Sequence, residues 1–327
     1  MKKYTVYILI AAALLAAIVL PRLLPKPFEK HVLILIMLYS ILGSAWNILG
    51  GYTGQVSLGH AVFFGIGAYT SSIMLIKWGI VPWVGMLVGG VIATIVSIII
   101  GLPTFKLRGF YFAIATIALG EMTRTLFLNW EWIGGAVGLE LPIKRGDKLI
   151  NLQFYLSKNN YYYVLLGIFL LTILAIYVIQ KSKLGYYFRA VKDSHEAALA
   201  SGIDTARTKL VAMGISAFIT AIAGSVYAQY LLYIDPYVVF SSAISTRICL
   251  VAILGGEGRL FGPIIGSSIL VILSEYSRAW LGGGGKGVDL IIYGTLIVLV
   301  AAFQPRGILG MVEMVKAKRQ KAVVPNA

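Results

Sequence analysis

The apolar residues of this 327-residue chain fall into long runs separated by short polar stretches. A helix rises 1.5 Å per residue, so about 20 apolar residues cross the hydrocarbon core of a bilayer. The pattern therefore predicts about ten transmembrane helices, several of them interrupted by glycine. The eighth is short, which indicates a tilted or broken helix. The predicted spans lie near residues 5–21, 31–50, 56–76, 81–101, 109–128, 161–180, 209–233, 241–255, 260–281 and 288–304.

The positions of lysine and arginine predict the orientation, because basic residues are enriched in cytoplasmic loops. With a cytoplasmic N-terminus, Lys106 and Arg108, the cytoplasmic loop 181–208 and the basic tail 305–327 all fall inside. The first external loop and the long external loop 129–160 are also basic, but the inside total is larger. We therefore expect both termini to be cytoplasmic. For loop 129–160 two interpretations stay open, a solvated connector and a docking surface for an external partner.

Composition agrees with a membrane protein. The chain is 59% hydrophobic and 13% charged, with a mean hydropathy of +0.86, whereas soluble domains are about half apolar and about a quarter charged. We therefore expect an all-α integral membrane protein with a single transmembrane domain over residues 1–327. The net charge of +15 does not indicate nucleic-acid binding, because the basic residues flank apolar runs, where topology and lipid headgroups explain them.

The N-terminal "MKKYTVYILIAAALLAAIVL" resembles a signal peptide, with two lysines before an apolar core. No small-x-small cleavage site lies directly before the break at Pro21 and further spans follow, so we expect a retained first helix. Cys249 is the only cysteine of the sequence. A disulfide within the chain is therefore excluded, and a buried thiol that packs as a small hydrophobe is expected.

Two predicted spans share a charged motif. "LGEMTR" in the fifth span and "LSEYSR" in the ninth each place Glu and Arg three residues apart, on one helical face. Such an echo is typical of transporters built from two related halves with broken helices. Charges in a bilayer usually face the bundle interior, so the pairs either pin helix packing or belong to an outer gate or a partner contact. Arg247 has no acid nearby in the sequence, so its partner must come from elsewhere. The paired residues are Glu121 with Arg124 and Glu275 with Arg278.

The segment "GGYTGQVSLGHAVFFGIGAY" is rich in glycine, which breaks helices and allows close helix contacts. Irregular backbone at membrane depth is tolerated where protein or a water-filled cavity covers it. Its polar residues could line a solute path, or they could be hydrogen-bonded between packed helices. These candidate pathway residues are Asn47, Gln55, Ser57 and His60.

A polar insert, "RAVKDSHEAALASGIDTARTK", interrupts the apolar pattern between the sixth and seventh spans. Asp193 followed by Glu196 fits a capping box, so we expect a short helix over "SHEAALAS". Gly202 is placed to end that helix in the left-handed conformation, with Ile203 folding back onto its last turn. Its small alanines suit insertion into a groove of another protein, and its apolar face is too small for a membrane-surface helix.

The sequence of this insert resembles that of a known protein family. "EAALASGI" with the upstream "RAVKDS" is similar to the EAA-type coupling loop of ABC importer permeases, and more narrowly of LivM-type permeases of branched-chain amino acid importers. Segments 47–73, 109–129 and 254–270 are similar to the same family, so the resemblance covers most of residues 31–305. It implies that the insert couples the chain to an ATPase through Arg189, Asp193, Glu196, Ala197, Ala198, Gly202 and Ile203.

The resemblance also implies partners and a location. It predicts a second homologous permease subunit, two cytoplasmic ATP-binding subunits and an extracytoplasmic substrate-binding protein, in the prokaryotic plasma (inner) membrane. The segment "WLGGGGKG" is not a phosphate-binding loop, because it has Trp280 and Gly287 where that motif needs Gly and Ser or Thr. ATP and Mg²⁺ are therefore expected on the partner ATPases, and no cofactor on this chain.

Other interpretations stay open. A secondary, ion-coupled transporter would need acidic residues near mid-membrane, and the same permease type serves urea, amides or other amino acids. An enzyme would need a nucleophile with a base, and no catalytic residue is predicted. The three histidines share no metal-ligand spacing, so no metal site is predicted.

Overall fold

The computed structural model describes residues 15–280, except residues 16, 25, 108, 144–148 and 155–157, together with residues 294, 295, 308 and 310. Most of the predicted span 5–21 lies outside the described residues, although residues 17–23 are helical. The glycine-rich turn 281–287, nearly all of the span 288–304 and nearly all of the tail 305–327 lie outside them as well. The predicted termini and the total of ten spans stay predictions.

The described chain is almost entirely helical. Two-residue strands, β1 (Leu139–Glu140) and β2 (Tyr233–Ile234), pair antiparallel, and short 3₁₀ turns occupy Glu131–Ile133, Gly135–Val137 and Leu149–Asn151. The helices are α1 (Pro27–Thr53), α2 (His60–Trp78), α3 (Pro82–Thr104), α4 (Phe110–Leu128), α5 (Lys158–Lys181), α6 (Lys183–Asp193), α7 (His195–Ala200), α8 (Thr205–Leu231), α9 (Pro236–Val239), α10 (Ser242–Gly255) and α11 (Gly262–Trp280).

Each of the predicted spans between residues 31 and 281 coincides with a helix or a helix pair. Several helices begin at a proline in the first turn, namely α1, α3 and α9, where the missing N–H and fixed φ cost nothing. Of the described segments, 6 are long and apolar enough to cross a membrane, and they include Pro236–Gly255, formed by α9 and α10 together. The protein is therefore an all-α, multi-pass membrane protein.

The helices alternate in direction between two ends of the bundle. His31, near the start of α1, contacts the hydroxyl of Tyr230 at the end of α8 at 2.5 Å. The ring of Phe28 packs on Tyr276 near the end of α11. The Lys77 ammonium donates to the carbonyl oxygen of Trp132 at 2.7 Å. We call this the loop end, because the described residues of segment 129–154 lie there, and the opposite end, which carries α6 and α7, the insert end.

The predicted eighth span, 241–255, coincides with α10, and a break separates it from the short helix α9 that precedes it. The break lies at Phe240 and Ser241, and the Ser241 side chain accepts from the Ala243 N–H at 3.2 Å. Phe240 is buried against Tyr69 and Phe127, with ring centroids 5.8 and 4.4 Å away. The break therefore lies inside the protein, which satisfies the rule that irregular backbone at membrane depth must be covered.

Glycines bring α2 and α8 into backbone contact at the centre of the core. A Cβ built on Gly67 would lie 2.0 Å from the carbonyl oxygen of Ala221, and one on Gly224 would lie 2.0 Å from that of Phe64. Close packing of this kind drives helix association in membranes, where no hydrophobic effect acts between helices.

We expect Gly67→Ala to lower stability by about 1–3 kcal/mol, because the added methyl meets backbone that cannot move without separating the helices. Gly167→Ala in α5 is the matched control, since its Cβ would meet no atom within 4 Å. The control should be stabilising by about 0.5–1 kcal/mol, as alanine is the better helix former. Thermal unfolding of the purified variants in detergent measures both, and equal midpoints for the two variants would contradict this account.

Candidate functional site

The predicted cytoplasmic loop 181–208, which includes most of the polar insert, contains two short helices rather than one. The sequence pattern predicted only the second, and α6 was missed. Gly185, Phe188 and Val191 face the bundle and are buried, whereas the rest of α6 is largely exposed. Their spacing of three residues is the signal that could have revealed α6, because it places them on one face of a helix.

The predicted capping box is wrong. Asp193 is the last residue of α6, and the N-cap of α7 is Ser194, whose hydroxyl accepts from the Ala197 N–H at 3.3 Å. With Ser194 as the cap, the third helical position is Ala197 and not Glu196, so the reciprocal bond of a capping box is not available. The physical reason is that the buried face of α6 extends through Val191 and keeps Asp193 helical.

The predicted glycine ending of α7 is confirmed. Gly202 has φ of +80° and its N–H donates to the Leu199 carbonyl at 2.9 Å, while the Ile203 N–H donates to the Ala198 carbonyl at 3.0 Å. These two bonds form a Schellman motif. A Cβ on Gly202 would meet no atom within 4 Å, so only the backbone conformation requires glycine here.

The helix α7 exposes one face to solvent and buries the other. Glu196, Ala197 and Leu199 are exposed, and Leu199 is 50% accessible. Ala198 is only 3% accessible, so it packs within this chain; its part in coupling stays a prediction. The exposed surface therefore centres on Glu196, Ala197 and Leu199.

The flanks of the insert hold it in place. Arg189 donates from its guanidinium to the Gln180 carbonyl at 3.0 Å and from Nε to the Gly185 carbonyl at 3.1 Å, so it caps the end of α5. Asp204 accepts from the Arg207 N–H at 2.9 Å and caps the start of α8. Ile203 is half-buried between them. Arg189 and Ile203, predicted as coupling residues, thus contact their own chain.

Lys192 was not singled out by the sequence. Its ammonium donates to the Gly51 carbonyl at 2.8 Å and to Glu257 at 3.1 Å. Gly51 lies in the last turn of α1, and Glu257 lies in the turn between α10 and α11. Lys192 therefore joins the insert to two other parts of the insert end.

The irregular segment 54–59 and the start of α2 are held by side chains from four helices. Trp46 of α1 donates its indole N–H to the Ser57 carbonyl at 2.7 Å, and Thr116 of α4 accepts from the Leu58 N–H at 3.0 Å. Ser245 of α10 accepts from the Ala61 N–H at 2.8 Å. His60 bonds through Nε2 to Ser216 of α8 at 2.9 Å. The Ser57 carbonyl and the Leu58 and Ala61 amides, next to the break, thus have partners within the protein.

Three of the four candidate pathway residues are buried in these contacts. Ser216 donates its proton to the Ala45 carbonyl at 2.7 Å, so its oxygen accepts from His60 Nε2. Asn47 donates to the Arg259 carbonyl at 2.9 Å and accepts from the Gly258 N–H at 2.8 Å. Ser57 is also buried, whereas Gln55 is half-buried. Their part in a solute path stays a prediction.

Both predicted ion pairs form. Arg124 lies 2.5 Å from Glu121 with side chains 32% and 39% accessible, and Arg278 lies 3.5 Å from Glu275, which is buried. Arg247 finds polar partners on other helices, the Tyr39 hydroxyl at 3.3 Å and Ser274 at 3.4 Å.

Comparison with known proteins identifies the family. The profile of the family described as branched-chain amino acid transport system, permease component, matches residues 30–301. The chain belongs to this family. This permease is 29% identical over 300 residues to the high-affinity branched-chain amino acid transport system permease protein LivM of Escherichia coli K12, covering 85% of the chain and 69% of that protein. It is 26% identical over 291 residues to LivH of Salmonella typhimurium, covering 85% of the chain and 93% of that protein.

More distant relatives agree. The probable branched-chain amino acid transport permease protein LivM of Methanocaldococcus jannaschii is 25% identical over 315 residues, covering 83% of this permease and 90% of that protein. No solved structure matches the chain. The predicted resemblance to LivM-type permeases is confirmed. Among the residues that the structure describes, the permease shows no group of three or more His, Cys, Asp or Glu side chains placed to hold a metal ion.

We expect Ser194→Ala to destabilise α7 by about 1 kcal/mol, because it removes the N-cap acceptor. Asp193→Ala, one residue earlier, is the matched control and should have a much smaller effect. Hydrogen exchange at the amides of α7 measures both, with a rise of about fivefold expected for Ser194→Ala. A larger effect for Asp193→Ala would reinstate the capping box.

Proposed function

We propose that this permease is the transmembrane subunit of an ATP-driven, binding-protein-dependent importer of the branched-chain amino acids Leu, Ile and Val. Membership of the family supports transport, and the names of its relatives support the substrate class. The single observation that carries the proposal is α7, a rigid helix capped at both ends that presents an exposed face at the insert end. In a protein embedded in lipid, a short exposed helix of this kind is suited to binding by a soluble protein partner.

In this mechanism two cytoplasmic ATPase subunits grip the α7 helices of two permeases. ATP and Mg²⁺ bind to the ATPases, and their closure tilts the permeases between outward-open and inward-open states. This is a rigid-body change biased by a ligand on another subunit. The chain itself performs no covalent step, and its task is to transmit displacement from α7 to the helices.

The loop end suits an external binding protein. The described residues of segment 129–154 contact the bundle at several places. The Lys77 ammonium donates to the Trp132 carbonyl, Trp83 donates to the Leu149 carbonyl at 2.8 Å, and β1 pairs with β2. Trp130 and Trp132 nevertheless expose about half of their surface. An ordered surface with exposed tryptophans is typical of protein contacts, which favours the docking interpretation over that of a plain connector.

A second permease would cover α4. This helix buries only Phe112, Ala113, Thr116 and Gly120, and its opposite face is open. The Glu121–Arg124 pair is partly accessible there, although a charged pair facing lipid is costly. A protein partner or the aqueous path between two permeases removes that cost.

Photo-crosslinking tests the pairing. A benzophenone attached to Ile114→Cys, on the open face of α4, should give a permease–permease adduct in the assembled complex. Leu174→Cys on α5 is the control, since its side chain is 58% accessible against 47% for Ile114. Cys249→Ala serves as the background for both variants. Equal adduct yields at the two sites would contradict pairing through α4, and the adduct mass distinguishes a second copy from a different permease.

Uptake into vesicles tests the function. The permease reconstituted with its ATPases, paired permease and binding protein should take up Leu, Ile and Val only with ATP. Uptake by this chain alone on an ion gradient would favour a secondary transporter, and transport of urea, amides or other amino acids in place of Leu, Ile and Val would reassign the substrate.

Leu199→Asp should weaken ATPase association by about tenfold or more, because it puts a charge at the centre of the proposed contact. Leu149→Asp, at the loop end, is the control and should leave ATPase association unchanged. A pull-down of the ATPases by each variant measures the effect, and normal retention by Leu199→Asp would contradict the docking role of α7.

A further inference from the structure

We propose that Lys192 is a positioning residue that transmits displacement of α7 to the α10–α11 pair through Glu257. The inference rests on the proposed function, because it assigns a route to a movement that an ATPase would impose. The route consists of Lys192, Glu257 and Asn47, together with glycines whose lack of a side chain allows these residues to come into contact.

The first step of the route is the link from α7 to α6. A single residue, Ser194, separates the two helices, and its hydroxyl and N–H are both engaged, with Ala197 and with the Ala190 carbonyl at 3.1 Å. Phe188 and Val191 anchor α6 in the core. A displacement of α7 therefore reaches the last turn of α6, where Lys192 lies.

The second step is the contact of Lys192 with the end of α1. Gly51 is among the last residues of α1, whose carbonyls have no partner within the helix, and the ammonium of Lys192 supplies one. The lysine stem crosses Gly54, where a Cβ would lie 3.3 Å from Lys192 Cγ. A cation at a helix C-terminus is also favoured by the helix dipole.

The third step is the turn between α10 and α11. Lys192 holds Glu257 from one side, and Asn47 holds the neighbouring Gly258 and Arg259 from the other through both ends of its amide. The turn lies directly on α1, since a Cβ on Gly51 would lie 2.5 Å from the Gly258 nitrogen. The position of the turn is thus determined jointly by α1 and by the insert.

The last step is that α10 and α11 move together. A Cβ on Gly255 would lie 1.7 Å from the Gly262 carbonyl oxygen, and one on Gly266 would lie 1.9 Å from that of Val251. Two helices in backbone contact cannot slide independently. A shift of the turn therefore reaches the break before α10 and, along α11, the Glu275–Arg278 pair near the loop end.

The ion pair itself is suited to a test. Its side chains are 33% and 38% accessible, and exposed ion pairs contribute little to stability. Removing the ion pair should leave the fold intact but stop the transmission of movement from α6 to the α10–α11 turn. Glu257→Gln removes only the ion pair, and Lys192→Met removes both contacts of the lysine. Glu29→Gln is the matched control, because Glu29 pairs with Lys26 at 3.9 Å at the loop end.

The experiment measures solute taken up per ATP hydrolysed by the reconstituted complex. We expect Glu257→Gln and Lys192→Met to lower this ratio by about fivefold or more, which is the lower end of typical coupling between sites. The unfolding midpoint should stay within about 2 °C of the parent. The double variant should be no worse than Lys192→Met alone, because the two residues act on one route. Glu29→Gln should match the parent.

Two results would overturn the inference. One is an unchanged ratio in either single variant, because the proposed route needs both Lys192 and Glu257. The other is a parallel fall in uptake, ATP hydrolysis and unfolding midpoint, which would show a purely structural role. The parent complex is measured first, so that a lack of ATP-driven uptake there counts against the proposed function and not against the role of Lys192.

Discussion

Backbone N–H and C=O groups that leave a helix inside a bilayer must bind to protein, because lipid offers no partner. In this permease the constraint acts on the buried residues Ser57 and Gly59 of segment 54–59, between α1 and α2. Trp46, Thr116 and Ser245 bind the freed backbone groups, and His60 is fixed by Ser216. These side chains come from α1, α4, α8 and α10. The hydrogen bonds to the segment and to His60 therefore require these four helices to pack around it.

Glycine allows the helices of this bundle to pack at short interhelical distances. The α2–α8 crossing at Gly67 and Gly224 and the α10–α11 crossing at Gly255 and Gly266 are backbone contacts that leave no room for a side chain. Such contacts hold helix pairs together as rigid bodies. A bundle of rigid pairs joined by a few polar contacts can change state by tilting, which is the kind of movement that alternating access requires.

In the proposed function, the insert end is where a soluble partner would move the membrane helices from outside the membrane. The exposed face of α7 is small and its caps are local, so it can be held without disturbing the core. Behind it, Lys192 reaches α1 and the α10–α11 turn at the same time. In the route that we propose, a partly exposed ion pair suits the contact between Lys192 and Glu257, because it contributes little to the stability of any one state.

The sequence alone determined the membrane class, the long apolar helices between residues 31 and 280, the left-handed ending at Gly202 and the family, because hydropathy, glycine position and motif are local properties. Tertiary structure decided what local pattern could not. Because one face of α6 is buried, the N-cap of α7 is Ser194 and not the predicted Asp193, and Ala198 is buried. It also brought Lys192 to Glu257 and Gly51, residues far apart in the chain, and paired His60 with Ser216. Which polar residues meet depends on how helices cross, and that is set by packing rather than by spacing.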